Sequence, residues 1–185
     1  MSYSASASQL ASSSLQMSQL LYVQTKQWHL SVLDWWNDWT VNGFKHKKKQ
    51  LYLWGPSNSG KTTFINNVLA RCINGVDETD EHAYESQVFT PIPNEKRFAW
   101  QEFDSKQYNV VFIDEFDIHE YNVSDLKKAL AGETFVANRK GLSPKKIVVQ
   151  MPTILVSNLS PPSDQGADAY KYQGVLERLH IVYCN

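Results

Sequence analysis

The sequence predicts an α/β fold, a mainly parallel sheet with helices on both faces. Short apolar runs at residues 51–54, 110–113, 153–156 and 181–183 read as buried strands, and helical segments fall between them. The first run is followed by Gly55-Pro56-Ser57-Asn58-Ser59-Gly60-Lys61-Thr62, which satisfies G-x-x-x-x-G-K-[ST] between a strand and a helix. The second run ends in Asp114-Glu115, placing two carboxylates at a strand's carboxyl end.

Each element has a local reason. The chain has 185 residues, with 42% hydrophobic content and six Trp, enough for one domain with its own core. Eight Ser and no charge in the first twenty residues make residues 1–19 a flexible tail without the basic start of a signal peptide. Residues 20–44 form a helical segment in which Trp28, Val32, Trp35, Trp36 and Trp39 recur at steps of three and four, with Asn42-Gly43 as its stop. That stripe packs on the following domain or on its copy in a neighbouring subunit; it lacks the Lys and Arg of a lipid-surface helix. Lys45, Lys47, Lys48 and Lys49 suit a solvated loop as well as a phosphate contact or a nuclear-import signal. Residues 61–72 and 123–131 are helical, and 45–185 form the main domain.

Composition excludes several classes. Cys72 and Cys184 allow neither a disulfide framework nor a four-cysteine zinc site. No apolar run approaches the ~18–20 residues of a membrane span. With 18 Lys+Arg against 19 Asp+Glu, the net charge is −1, so any polyanion site is a local cluster.

The glycine-rich loop lets backbone N–H groups converge on phosphate oxygens, reinforced by the helix N-terminus. Gly55, Pro56, Ser57, Asn58, Ser59, Gly60, Lys61, Thr62 and Thr63 are the nucleotide-binding candidates, with Lys61 reaching the β- and γ-phosphates. Thr62 and Asp114 are the candidate Mg²⁺ ligands. Glu115 can polarise a water for attack on the γ-phosphate, which favours hydrolysis over transfer. Asn158, ending the 153–156 strand in the ligand crevice of such sheets, can hold the water or the phosphate.

The ordered set GPSNSGKT, VVFIDE and PTILVSN resembles the superfamily 3 helicases of small DNA viruses, above all the helicase domain of replication-associated proteins from circular single-stranded DNA viruses. The resemblance covers about residues 51–185 and includes Phe98-Ala99-Trp100 before the acidic strand. It implies a P-loop NTPase with a modified AAA+ five-stranded sheet behind a small helical collar, residues 20–44, whose Trp stripe contacts neighbouring subunits. It also implies ATP and Mg²⁺ as cofactors, a homo-oligomeric hexameric ring, 3′-to-5′ movement on single-stranded DNA, rolling-circle replication and a place in the host nucleus. Within it, Asn138-Arg139-Lys140-Gly141 matches the tip of a DNA-gripping hairpin, flanked by Lys145 and Lys146. Arg178, in Val175-Leu176-Glu177-Arg178-Leu179-His180-Ile181, matches an arginine finger acting across a subunit boundary. Whole proteins of this group fuse the helicase to a nicking endonuclease. His29, His46, His82, His119 and His180 nowhere form its paired-histidine motif, so that activity belongs to a linked domain absent from this chain. Two alternatives stay open: a membrane-associated superfamily 3 ATPase of RNA viruses, and a non-catalytic module that uses ATP only to assemble.

Overall fold

The computed structural model describes residues 26–73, 84–163 and 169–185; the tail and the first residues of the 20–44 segment lie outside these. Helix α1 (Gln27–Asn42) precedes strand β1 (Gln50–Trp54) and helix α2 (Lys61–Ile73). A short strand β2 (Val88–Phe89) leads to β3 (Val110–Ile113) and helix α3 (Val123–Ala131). Strands β4 (Phe135–Arg139) and β5 (Leu142–Ile147), then β6 (Thr153–Ser157), helix α4 (Ala169–Leu176) and β7 (Leu179–Tyr183) complete the order.

Five strands form one parallel sheet in the order β2-β3-β6-β1-β7. The interior strands are apolar on both faces because both faces are covered, as parallel sheets require. Leu51 and Leu53 point into a core shared with α1 and α2, whereas Tyr52 points into a second core with α3, α4 and the β4-β5 hairpin. The five-stranded parallel sheet with helices on both faces is the expected architecture.

The Trp stripe requires a correction. Trp28, Val32, Trp35, Trp36 and Trp39 are 1–7% exposed and pack on Leu51, Leu53, Phe64, Val68 and Val182 of the same chain. The stripe therefore does not face a neighbouring subunit: one apolar sheet face needed covering, and this helix covers it. The exposed apolar residues of α1 are instead Leu30 and Val41. The indole N–H groups of Trp35 and Trp39 both donate to the Lys49 carbonyl, at 2.9 and 3.3 Å.

The basic run after α1 is partly a helix clasp. Lys48 Nζ donates to the carbonyls of Asp38 and Gly43 at 2.9 Å each, pairs with Asp38 and lies 4.8 Å from the Trp39 ring centroid. A lysine at a helix C-terminus satisfies carbonyls that have no partner within the helix. Lys49 Nζ instead donates to the Glu177 carbonyl, tying the basic run to the segment that precedes β7.

At the amino edge of the sheet, Gln50 is fully buried. Its Oε1 accepts the Thr153 N–H at 2.8 Å, and its Nε2 donates to the Leu130 carbonyl at 3.4 Å. Gln50→Ala leaves that buried N–H unpaired and is expected to cost about 1–3 kcal/mol, read from the urea midpoint.

A hairpin lies between α3 and β6, where the family resemblance implies one. Phe135, Ala137 and Ile147 face the core, whereas Val136 and its cross-strand partner Lys146 face outward. Lys140 and Gly141 form the tip, and Gly141 takes φ 70°, a conformation that favours glycine.

Candidate nucleotide site

Strands β3, β6 and β1 are neighbours, so the residues beyond their carboxyl ends converge. Leaving β1, Gly55 adopts φ 154°, and its N–H donates to the Ser157 carbonyl at 3.3 Å. A Cβ at Gly55 would lie 2.4 Å from the backbone oxygen of Cys184, a contact that nothing flexible can relieve. Only glycine lets the loop leave the sheet here. Burial pushes the Cys184 thiol up to about 11, although Lys61 and Lys26 pull the other way, so this cysteine packs as a neutral group.

The loop curls through Asn58 at φ 61° and Gly60 at φ 86°, then enters α2 with the Phe64 N–H donating to the Gly60 carbonyl at 2.9 Å. Lys61 is 5% exposed. Its ammonium reaches four oxygens: the carbonyls of Gly55 at 2.9 Å and Pro56 at 2.6 Å, Ser59 Oγ at 3.1 Å and Asn158 Oδ1 at 3.1 Å. Its three protons are thus fully used by the loop and by the amide after β6.

Across the crevice, Thr62 Oγ1 donates to Asp114 Oδ1 at 3.0 Å, and the same oxygen accepts the Glu115 N–H at 2.9 Å. Glu115 sits at φ 50°, left-handed for a residue with a side chain. Such backbone is costly and concentrates at functional sites. Behind it, the Phe116 N–H donates to the Val156 carbonyl at 2.7 Å. Ser157 Oγ donates to the Phe116 carbonyl at 2.7 Å and accepts the Leu159 N–H at 3.0 Å. Sequence reasoning passed over Ser157; its hydroxyl staples the segments carrying Glu115 and Asn158 at a fixed spacing.

A cavity of about 220 Å³ results, lined by Ser57, Asn58, Ser59, Gly60, Lys61, Thr62, Thr63, Asp114, Glu115, Val156, Ser157 and Asn158. Among these, Lys61 is the one cation. A hydroxyl and a carboxylate already in contact are a donor pair suited to a hard divalent cation with oxygen ligands. The residues therefore fit both a polyphosphate and Mg²⁺.

The structure does not bring Arg178 to this site. Its carbonyl accepts the Gln50 N–H at 2.8 Å, at the other end of β1 from the phosphate loop. The side chain is 6% exposed, donates from Nη1 to the Gly174 carbonyl and lies 4.0 Å from Glu133.

The four hairpin candidates divide. Lys140 is at the tip and Lys146 points outward. Arg139 Nε donates back across the turn to the Ser143 carbonyl at 2.8 Å. Lys145 turns inward and donates to the Phe103 carbonyl, anchoring the return strand rather than facing solvent. Among the described residues there is no cluster of three or more His, Cys, Asp or Glu able to hold a metal, and no helix long and apolar enough to cross a membrane.

No curated protein matches the chain. Solved structures of JCV helicase do. One, bound to N-(4-(2-(thiazolo[5,4-c]pyridin-2-yl)phenoxy)phenyl)acetamide, is 17% identical over 98% of this chain with a TM-score of 0.52. A second, with an inhibitor bound, is 16% identical over 98% with a TM-score of 0.53. A third JCV helicase structure is 16% identical over 98% with a TM-score of 0.50. The chain spans about half the length of these proteins, 47%, 46% and 46% respectively. At such identity the likeness is one of fold, the five-stranded parallel α/β sheet. Residues 53–169, which hold the phosphate loop, the acidic pair, the hairpin and Asn158, match the model of the family of unknown function DUF5906, and the chain belongs to that family.

Proposed function

We propose that the chain is an ATP-hydrolysing motor acting on single-stranded DNA, the superfamily 3 helicase part of a replication-associated protein of a circular single-stranded DNA virus. The observation that carries this reading is the convergence of Lys61, the Thr62–Asp114 pair, Glu115 and Asn158 at neighbouring strand ends. A basic hairpin is inserted between the strands that bear Glu115 and Asn158.

Lys61 holds the β- and γ-phosphates once it exchanges its loop carbonyls for phosphate oxygens. Thr62 and Asp114 would hold Mg²⁺, which would supply charge neutralisation at the phosphates. Glu115 takes the proton of the attacking water, and Asn158 orients that water or the γ-phosphate. Lys61 is the one cationic side chain lining the cavity, and a second would be added by a neighbour. Arg178 supplies it to the site of a neighbouring subunit after leaving its contacts with Gly174 and Glu133.

A hexameric ring would place one Lys140 per subunit around a channel. Positive potential then concentrates on the strand although each chain carries a net charge of −1. Residues 45–185 are the motor and 20–44 its collar; the nicking endonuclease is a linked partner, and the work is done in the host nucleus with 3′-to-5′ polarity.

The test is phosphate release with and without single-stranded DNA or RNA, alongside particle mass. ATP hydrolysis stimulated by DNA in a particle of ring mass is expected. Stimulation by RNA alone, or nucleotide-dependent assembly without phosphate release, would reject the reading.

A further inference from the structure

We propose that Glu95 is a latch on the hairpin tip: it holds Lys140 in an ion pair within the chain, and single-stranded DNA has to displace it. The inference rests on the DNA-motor reading and specifies how that site is held before a strand arrives.

Lys140 is bound to residues of one loop, between β2 and β3. Its Nζ pairs with Glu95 Oε1 at 2.8 Å and lies 5.5 Å from the Phe98 ring centroid, while its backbone N–H donates to Gln101 Oε1 at 3.2 Å. The tip is thus positioned through backbone and side chain together. Arg97 lies 5.5 Å from the same Phe98 ring centroid, so two cations share one aromatic ring. Below the tip, Lys145 fixes the return strand to Phe103 of this loop.

The loop presents Glu95 in a defined place. The Ile92 N–H donates to the Ala99 carbonyl at 3.0 Å, and the Phe98 N–H donates to the Glu95 carbonyl at 2.6 Å. Asn94, beside Glu95, is held at φ 60° by two bonds to Glu120: its N–H to the Glu120 carbonyl at 3.2 Å and its Nδ2 to Oε1 at 3.3 Å. Glu120 lies on the segment leading out of the Asp114-Glu115 strand end. A continuous bonded path therefore joins the acidic pair to the residue that pairs with the tip.

The pair is weak enough to open. The Lys140 and Glu95 side chains are 57% and 41% exposed. Pairs of this kind shift an equilibrium by about 1.5–5-fold. A DNA phosphate competes with the carboxylate for the same ammonium. The latch lowers DNA affinity without blocking it.

The experiment is a fluorescence-anisotropy titration of labelled oligo-dT with the full chain as wild type, Glu95→Gln, Lys140→Ala and the double variant, at one fixed ionic strength. Glu95→Gln is expected to tighten binding about 3–5-fold, at the upper end for an exposed pair. That gain should vanish in the Lys140→Ala background, because the partner is gone. An equal gain in both backgrounds would mean general charge repulsion and overturn the latch. If Lys140→Ala weakens binding while Glu95→Gln matches wild type, the latch falls and the DNA reading stands. If neither wild type nor Glu95→Gln binds, both fall.

Discussion

Glu115→Gln is expected to retain nucleotide binding and to lower ATP turnover by about 10²–10⁴-fold, the usual contribution of a positioned general base. The amide keeps the shape of the carboxylate but lacks the basicity to accept a proton. The backbone already holds Glu115 at φ 50°, with its N–H on Asp114 Oδ1, and glutamine bears that strain no worse than glutamate. Folding and the Thr62–Asp114 pair should therefore survive, and the loss should fall on the chemical step. Phosphate release and equilibrium binding of a fluorescent ATP analogue separate the two. Near-wild-type hydrolysis would remove Glu115 as the base.

Trp35→Ala is expected to destabilise the chain by about 3–5 kcal/mol, the range for truncating a buried Trp or Phe. For a chain of this size that lowers Tm by roughly 6–20 °C, at about 2–4 °C per kcal/mol. Trp35 is 7% exposed, stands 6.1 Å from the Trp36 ring and 6.4 Å from the Trp39 ring by centroid, and donates its N–H to the Lys49 carbonyl. The exposed Val41→Ala should stay within about 0.5 kcal/mol of wild type. The Trp35 loss should be the same at every protein concentration. A Tm that falls only on dilution would point to an interface between copies instead.

The sequence made the phosphate loop, the acidic pair and Asn158 legible because each joins a buried apolar run to chemistry-bearing residues at its end. The hairpin was expected only from the family resemblance, with Gly141 allowing its tight turn. Strand β2 was not: two residues, Val88 and Phe89, make no periodic run, and pairing with β3 alone defines them. For α1, the step of three and four gave the buried face but could not say which surface covers it. The division between Lys145 and Lys146 depends on strand parity, and a register shift between Ala137 and Arg139 unsettles parity read from the tip. Arg178 was placed by its motif, but its inward fold follows from Gly174 and Glu133, which the motif does not encode.

The wedging of Gly55 against Cys184 gives β7 a second use. The strand begins at Leu179, next to Arg178, and ends at Tyr183; the residue after it, Cys184, donates its N–H to the Trp54 carbonyl at 2.8 Å. Five paired positions along β1 keep it from slipping. It is a short connecting rod with one end at the arginine and the other against the first residue of the phosphate loop. A displacement at Arg178 is therefore expected to reach Gly55 along a strand paired to β1 throughout, so that the two ends of β7 would move together.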